Sequence, residues 1–194
     1  MAGFRQFGLM GLMVAVTGGL AYFLGSQAGQ ALNDRSANKL KESRSSMQYS
    51  LLTKMKNVEI GSRIEDYQFE NLSGELQSLR SLVHGRTVIA FIEPDCPACM
   101  EEVGRIGALA EDSVCAQRFV FVSSGSPFQL MQVRQQLRIM SPLLYDHKDM
   151  FASRVKIATY PTNVIVDENL EIKEVIPGQL TDSEIETVCQ RDLK

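Results

Sequence analysis

Residues 87–92, with the sequence TVIAFI, form a nearly continuous apolar run rich in β-branched side chains. Such a run is typical of a strand buried on both faces, which requires helices on both sides of its sheet. Pro97 follows closely and is a favourable first residue of a helix, and Val103 and Ile106 then recur at helical spacing. The sequence therefore predicts a buried strand that leads directly into a helix of an α/β domain.

The pattern further along the chain alternates between strands and helices. We predict strands over 118–123, 143–145, 162–166 and 171–175, and helices over 128–137 and 148–155. The last two strands are predicted to form an antiparallel hairpin across residues 167–169. An earlier hairpin is predicted over 66–70 and 75–78, around the turn glycine Gly74. Thr181 with Glu184 three residues later is a capping box that starts a last helix. The order favours an α/β fold with a mixed central sheet and helices on both faces.

The first 25 of the 194 residues differ from the rest of the chain. No charged side chain lies between Arg5 and Asp34, and residues 7–24 are almost wholly apolar. As a helix these 18 residues would cover roughly 27 Å, close to the hydrocarbon thickness of a bilayer. We interpret residues 1–25 as a transmembrane signal-anchor; the alternatives are a signal peptide cleaved near residues 26–28 and, less favoured, a buried core helix.

The polar segment over residues 26–57 is interpreted as a stalk, and residues 58–194 as the folded domain. Four basic residues lie on the domain side of the apolar run: Arg35, Lys39, Lys41 and Arg44. By the positive-inside rule they would place the domain in the cytoplasm, so the orientation stays ambiguous from charge alone. The formal net charge of −3 indicates no nucleic-acid surface.

Two cysteines, Cys96 and Cys99, flank Pro97-Ala98 where the buried strand meets the helix. Two intervening residues let the sulfurs meet across the first helical turn, so that a disulfide can open and close with little backbone motion. Free N–H groups at the helix start stabilise a thiolate, which is the attacking species in disulfide exchange. We predict that Cys96 is the nucleophile and that Cys99 resolves the mixed disulfide.

Two less reactive interpretations of the pair are a zinc half-site and an inert buried pair. Zinc needs a second close pair of ligands, and the remaining candidates, Cys115, Cys189, His84 and His147, are scattered without ligand spacing. We therefore favour redox chemistry and predict neither a metal site nor another cofactor.

A second element, Tyr160-Pro161-Thr162, precedes a predicted strand. Together with the hairpins and the CPAC sequence, it makes the chain resemble the thioredoxin superfamily. Within it, the chain is similar to bacterial membrane-anchored thioredoxin-like reductases related to the cytochrome-maturation thiol–disulfide oxidoreductases. The resemblance covers about residues 58–193 and implies a thioredoxin-like fold. It implies a cis Pro161 beside the cysteines, and a Tyr160 whose backbone pairs with the substrate; a plain trans turn proline is the alternative.

The sequence departs from this family around the cysteines. Asp95 stands where a tryptophan usually precedes the first cysteine, and Ala90 stands where an acidic or amide residue often accepts a proton. Glu93 and Asp95 are nearby acids that could substitute. Glu102 matches a glutamate often seen in the active-site helix of the anchored subfamily. We take Glu93, Asp95 and Glu102 as candidates for proton transfer and tuning.

Charge suggests the direction of the reaction. Pro97 and Ala98 add no positive charge beside Cys96, and the Asp95 carboxylate disfavours a thiolate there. We therefore expect an electron-donating pair that reduces disulfides of exported proteins and receives electrons from an upstream thiol donor. The resemblance implies a single-pass protein of the bacterial inner membrane, with its domain on the periplasmic side.

Two of three alternative activities require residue patterns other than that of a disulfide reductase. A peroxiredoxin-like peroxidase expects Thr three residues before its cysteine, where this chain has Glu93. Copper delivery expects a wider cysteine spacing and a suitable histidine. A maturation factor dedicated to one client, like the thioredoxin-like accessory proteins of methylamine dehydrogenase biogenesis, stays open.

Cys115 closes the loop after the active-site helix, and Cys189 lies in the predicted last helix. In the resembled fold those two helices cover the same sheet face. A structural disulfide between them is one interpretation for a protein outside the cytoplasm. Two separate core cysteines are the alternative that the sequence favours.

Overall fold

The computed structural model describes residues 58–109 and 113–190, together with the helical residues 39, 41–43 and 46. The chain falls into two units, Met1–Met47 and Gln48–Lys194. The predicted anchor over residues 1–25 and most of the predicted stalk over 26–57 lie outside the described residues. Within the described ranges, no helix is both long and apolar enough to cross a bilayer.

Seven strands form one mixed sheet. They are β1 (Gln68–Asn71), β2 (Leu76–Ser78), β3 (Thr87–Phe91), β4 (Phe119–Ser123), β5 (Leu143–Tyr145), β6 (Thr162–Val166) and β7 (Ile172–Pro177). The spatial order is β2-β1-β5-β4-β3-β6-β7. Strands β3, β4 and β5 are parallel, whereas β6 is antiparallel to β3 and each predicted hairpin pairs antiparallel. The predicted mixed sheet is confirmed.

Six helices surround the sheet in the described ranges. They are α1 (Leu79–Leu82), α2 (Pro97–Leu109), α3 (Ser113–Ala116), α4 (Pro127–Gln136), α5 (Met150–Val155) and α6 (Asp182–Gln190). The capping box at α6 is confirmed, because Glu184 Oε2 accepts the Thr181 N–H and the Glu184 N–H points at Thr181 Oγ1, 3.3 Å away.

The helix predicted over 148–155 is divided in the structure. A 3-10 turn occupies His147–Asp149, and α5 begins only at Met150. The buried carboxylate of Asp146 explains the break, since it accepts hydrogen bonds from the backbone N–H groups of Phe151 and Ala152 at 2.9 and 2.8 Å. Asp146 thereby satisfies donors at the start of α5 that a longer helix would have satisfied internally.

Both faces of the sheet are covered, as the run 87–92 predicts. Every residue of β3 is buried, and successive side chains point to opposite faces. Val88, Ala90 and Ile92 pack in a core with α2, α3, α4 and α6, whereas Ile89 and Phe91 pack in a second core with α1 and α5. The side chains of β3 therefore contribute to both cores, and this packing fixes the position of the segment that follows the strand.

One edge of the sheet collects several chain segments. The carboxyl end of β3 lies beside the carboxyl end of β4, and Phe91 pairs with Thr162, the first residue of β6. The segments just beyond these ends, Ile92–Pro97 and Tyr160–Pro161, therefore meet at the same edge.

Candidate active site

The two cysteines of the CPAC sequence lie at the start of α2. Cys96 directly precedes the helix, and Cys99 is its third residue. They form a disulfide with a Cα–Cα distance of 5.2 Å, which lies within the ordinary range for such a bond. The turn between β3 and α2 is held by a hydrogen bond from the Cys96 N–H to the Glu93 carbonyl at 3.1 Å.

The sulfur of Cys96 takes the place of a helix-capping oxygen. The backbone N–H of Cys99 points at Cys96 Sγ, with an N···S distance of 3.1 Å. An N–H group that no helix carbonyl can reach is thereby aimed at the first sulfur. In the reduced protein this donor and the helix dipole favour the thiolate form of Cys96.

The two sulfur-bearing residues differ in exposure. Cys99 is fully buried against the core, whereas Cys96 is only partly buried. A protein disulfide can therefore reach Cys96 and not Cys99. This asymmetry fits attack by Cys96 and resolution by Cys99 from inside the protein.

A cis peptide bond joins Tyr160 to Pro161 beside this pair. The Pro161 carbonyl accepts a hydrogen bond from the Gly178 N–H at 2.8 Å, which ties the proline to the turn after β7. Gly178 has a φ of +86°, a conformation that glycine adopts without strain. The structure thus brings Tyr160 and Pro161 to the sheet edge that also carries Cys96.

The side chain of Tyr160 is held by a hydrogen bond to Asp149, which lies just before α5. Its hydroxyl donates to Asp149 Oδ1 at 2.9 Å. Burial raises the pKa of Tyr160 well above its ordinary value, and the hydrogen bond to Asp149 and the charge of that carboxylate raise it further. Tyr160 therefore stays neutral and fixed beside the site.

Of the three candidate tuning acids, Glu93 and Asp95 lie outside the buried region around Cys99. Glu93 Oε1 accepts hydrogen bonds from the N–H and the hydroxyl of Ser124 at 3.0 and 2.9 Å. Burial raises the pKa of Glu93, although these hydrogen bonds lower it. Asp95 is exposed at the surface next to Cys96.

Glu102 is the candidate that the structure buries completely. It lies one helical turn after Cys99, on the same face of α2. Oε1 of Glu102 accepts hydrogen bonds from the Leu180 N–H at 2.6 Å and from Asn163 Nδ2 at 2.9 Å. Burial raises the pKa of Glu102 to about 7, against the lowering effect of these hydrogen bonds. Near neutral pH, this carboxyl can therefore take up and release a proton.

Cys115 and Cys189 are also joined by a disulfide, with a Cα–Cα distance of 4.8 Å. It connects α3 to the end of α6, far along the chain from the CPAC pair. The structure thus pairs two cysteines that the sequence favoured as separate. Since α3 and α6 cover the same core, their proximity follows from the fold and not from local sequence.

The two histidines lie at opposite edges of the sheet. The His84 backbone precedes β3, at the opposite edge of the sheet, and His147 Nδ1 lies 3.1 Å from the Tyr145 hydroxyl. In the described ranges, no group of three or more His, Cys, Asp or Glu side chains is arranged to hold a metal ion.

Three residues around the cysteines escaped the sequence analysis. Asn163 bonds to Glu102, Asp149 braces Tyr160, and Gln179 Nε2 donates to the Ala98 carbonyl between the two cysteines at 2.7 Å. The first had a signal, since Asn163 is an amide inside the otherwise apolar strand segment TNVIV. Asp149 and Gln179 lie in polar stretches of sequence, where nothing distinguishes them from solvated residues.

Comparison with known proteins agrees with this geometry. The chain is 25% identical over 140 residues to the thioredoxin-like protein YneN of Bacillus subtilis, covering 70% of this chain and 81% of that protein. It is 22% identical to the thiol-disulfide oxidoreductase ResA of Geobacillus kaustophilus, covering 71% and 80% respectively. The crystal structure of StoA from Bacillus subtilis superposes with a TM-score of 0.53 at 19% identity, over 66% of this chain and 98% of that one. The last likeness supports the thioredoxin-like fold.

The family assignment rests on a match to a family model. The model of the AhpC/TSA family matches residues 60–175, more than half of the chain, from the segment before β1 to within β7. That span includes the CPAC pair and the cis proline. The chain therefore belongs to the AhpC/TSA family, as a thioredoxin-like protein of the thiol–disulfide oxidoreductase type.

Proposed function

We propose that this protein reduces disulfide bonds of exported client proteins with the Cys96–Cys99 dithiol. The observation that carries the proposal is the pairing of a partly exposed Cys96, whose sulfur faces the Cys99 N–H, with a fully buried Cys99. An accessible thiolate and a shielded resolving thiol are what disulfide exchange needs.

The proposed reaction moves two electrons from the protein to its client. The Cys96 thiolate attacks one sulfur of the client disulfide, which forms a mixed disulfide and releases the other client sulfur as a thiolate. The Cys99 thiol loses its proton and attacks Cys96 Sγ. The second client thiolate leaves, and the Cys96–Cys99 disulfide observed in the structure is formed. An upstream dithiol donor then returns two electrons to the pair.

The reducing direction is inferred from the charges near Cys96. Asp95 is adjacent and exposed, and Pro97 and Ala98 contribute no positive charge. A negative neighbour destabilises the thiolate and therefore the reduced form, which lowers the reduction potential. A measured potential more oxidising than roughly −150 mV would contradict this direction.

Insulin reduction by the full chain with a small dithiol donor tests the activity. We expect turnover by the wild-type protein and none by Cys96→Ser. The Cys115→Ser/Cys189→Ser double variant is the matched control and keeps its turnover, because it leaves the CPAC pair intact. If the protein does not reduce insulin but exchanges disulfides rapidly with one client, the result would favour the dedicated maturation factor. If the protein reduces hydrogen peroxide faster than it reduces insulin, the result would favour the peroxidase.

We further propose that residues 1–25 anchor the protein in the bacterial inner membrane, with the domain on the periplasmic side. The uncharged stretch between Arg5 and Asp34 supports the anchor. Disulfide chemistry supports the periplasmic side, because the cytoplasm keeps thiols reduced. We expect the full chain to stay with the membrane during carbonate extraction. We also expect protease to digest the domain only after the outer membrane is opened. Release by carbonate or a cleaved N-terminus would contradict the anchor.

A further inference from the structure

Two buried side chains from distant parts of the chain meet beneath the cysteines. Glu102 belongs to α2 and Asn163 to β6, and both are fully buried. Asn163 is the second residue of β6, and the cis proline Pro161 directly precedes that strand, so one short segment carries both the proline and an amide that contacts the active-site helix. Glu102 and Asn163 are therefore placed to link client binding to the chemistry at Cys99.

The two oxygens of Glu102 have different surroundings. Oε1 accepts two hydrogen bonds, from the Leu180 N–H at 2.6 Å and from Asn163 Nδ2 at 2.9 Å. Oε2 is buried and has no hydrogen-bond partner among the described residues. An oxygen that already accepts two donors binds a proton poorly, so a proton on this carboxyl belongs on Oε2.

The orientation of the Asn163 amide is fixed by its neighbours. Nδ2 faces two acceptors, Glu102 Oε1 and the Gly178 carbonyl at 3.1 Å. The reverse orientation would place the amide oxygen against both acceptors. Asn163 can therefore serve only as a donor to Glu102, and it also ties the carboxyl to the turn that contacts Pro161.

Resting on the proposed exchange reaction, we propose that Asn163 is a positioning residue for proton transfer at Cys99, because it holds Glu102 Oε1 and leaves Oε2 to accept the thiol proton. The Cys99 S–H bond breaks and an O–H bond forms on Oε2. The resulting thiolate then attacks Cys96 Sγ in the mixed disulfide, and the client thiolate departs. The proton leaves Oε2 for that thiolate or for solvent, and the carboxylate is restored.

Other charged groups around Glu102 act on its pKa in opposite directions. Arg105 on α2 favours the carboxylate, but its guanidinium is paired with Asp182 of α6 at 2.9 Å. Glu184 of α6 disfavours the carboxylate, and its own Oε2 accepts from Thr181. Strand β6 contributes the neutral Asn163. Burial raises the pKa of Glu102 to about 7, and the hydrogen bond from Asn163 keeps it from rising further.

Carbon-13 NMR of the oxidised full chain measures the Glu102 titration without requiring activity. The Glu102 signal is assigned by its loss in Glu102→Gln. We expect a midpoint near 7 in the wild type. In Asn163→Leu the carboxylate loses one donor, and we expect the midpoint to rise by about one pH unit. In Asn163→Thr a hydroxyl on a shorter side chain replaces the amide donor, and we expect a smaller rise of the Glu102 midpoint. This variant replaces Asn163→Leu in the test if the leucine variant does not fold.

The rate of client release from the Cys96 mixed disulfide, measured against pH, completes the test. Its midpoint is expected to move upward with the NMR midpoint in each Asn163 variant. Ser141→Ala is the matched control, because it also removes a buried hydrogen bond, to the Ala116 carbonyl at 2.8 Å, at the opposite edge of the sheet. It is expected to lower stability without moving either midpoint.

The outcomes separate the two proposals. If the Asn163 variants still carry out disulfide exchange and neither the NMR midpoint nor the release midpoint changes, then Asn163 has only a structural role. That result would overturn this inference but not the proposed function. An NMR shift without a shift in the release profile would also overturn it, because Glu102 would then not handle the Cys99 proton. Absence of exchange by the wild-type protein would overturn the proposed function, and this inference with it.

Discussion

The amide nitrogen of Cys99 lies 3.1 Å from the sulfur of Cys96, with its hydrogen directed at that sulfur. The contact exists because Pro97 begins the helix immediately after Cys96, which leaves the Cys99 N–H without a helical acceptor. The same short turn therefore selects the reactive sulfur and places its partner in the core.

The charge of Asp95 is expected to raise the pKa of the Cys96 thiol. Asp95→Asn removes that charge, so the pKa should fall by a few tenths of a unit, since Asp95 is exposed and its charge is screened. The rate of iodoacetamide alkylation of the reduced protein against pH measures the change. Glu168→Gln removes a charge in the turn after β6, at the opposite edge, and should leave the profile unchanged. An unchanged or higher pKa in Asp95→Asn would refute the charge argument.

Gly125 lies against Pro94, in the segment that leads to Cys96, and the contact leaves no room for a side chain at residue 125. A Cβ at residue 125 would lie 2.5 Å from Pro94 Cγ, and the proline ring cannot swing aside. Gly125→Ala should therefore lower the free energy of unfolding by about 1–3 kcal/mol and slow exchange. Gly104→Ala is the control, because its Cβ would meet only Leu137 Cδ2 at 3.9 Å within a helix. That variant should gain up to about 1 kcal/mol by urea denaturation. Equal stability of the two variants would show that the contact is not restrictive.

The Cys115–Cys189 disulfide is expected to stabilise the fold without taking part in exchange. It spans a sequence separation of 74 residues. Closing a loop of that size removes conformational entropy from the unfolded chain worth about 4 kcal/mol. Denaturant unfolding of oxidised wild type and of Cys115→Ala/Cys189→Ala measures the difference, with insulin turnover as the second readout. A double variant that is as stable as the wild type, or one that loses turnover, would contradict this prediction.

Stability should depend on pH through Glu102. Its pKa is about 7 in the folded protein, against 4.5 for an ordinary solvated glutamate. Between these values the folded state retains a proton that the unfolded state has lost, so the free energy of unfolding falls as pH rises. The corresponding stability is complete below about pH 4.5 and is lost as pH rises through about 7; it amounts to up to ~3 kcal/mol.

Urea denaturation at pH 5 and pH 8 measures this dependence. Glu93 and Asp146 also have raised pKa values and contribute with the same sign, so some dependence should persist without Glu102. Glu102→Gln should show a clearly smaller loss of stability between the two pH values than the wild type. If both proteins lose the same stability, Glu102 does not titrate as the structure indicates.

Most of the fold could be predicted because its signals are local. The apolar run that became β3, the start of α2 at Pro97 and the two hairpins are each encoded in short stretches of consecutive residues. The helix predicted over 148–155 shows the limit of this reasoning. Asp146 lies outside the helical pattern, yet its buried carboxylate decides where α5 begins.

The site was predictable only in part, because its contacts join distant segments. Cys96 and Cys99 are adjacent enough for spacing to reveal their chemistry. Glu101 and Glu102 look alike in sequence, but Glu101 is exposed and Glu102 is buried. Helical spacing from Cys99 puts Glu102 on the buried face of α2. Its two hydrogen-bond donors, however, come from outside the helix: Asn163, 61 residues further on, and the backbone of Leu180. No periodicity within α2 encodes such a partnership, so the sequence could name Glu102 as a candidate but not its donor.

Trapping with the Cys99→Ser variant tests the central claim most directly. Without the resolving thiol, the Cys96 thiolate can attack a client disulfide but cannot release the client. We expect the variant to accumulate mixed disulfides on Cys96 that disappear under reductant, and the Cys96→Ser/Cys99→Ser variant to accumulate none. If Cys99→Ser forms no such adducts, or forms them equally without Cys96, then Cys96 is not the nucleophile.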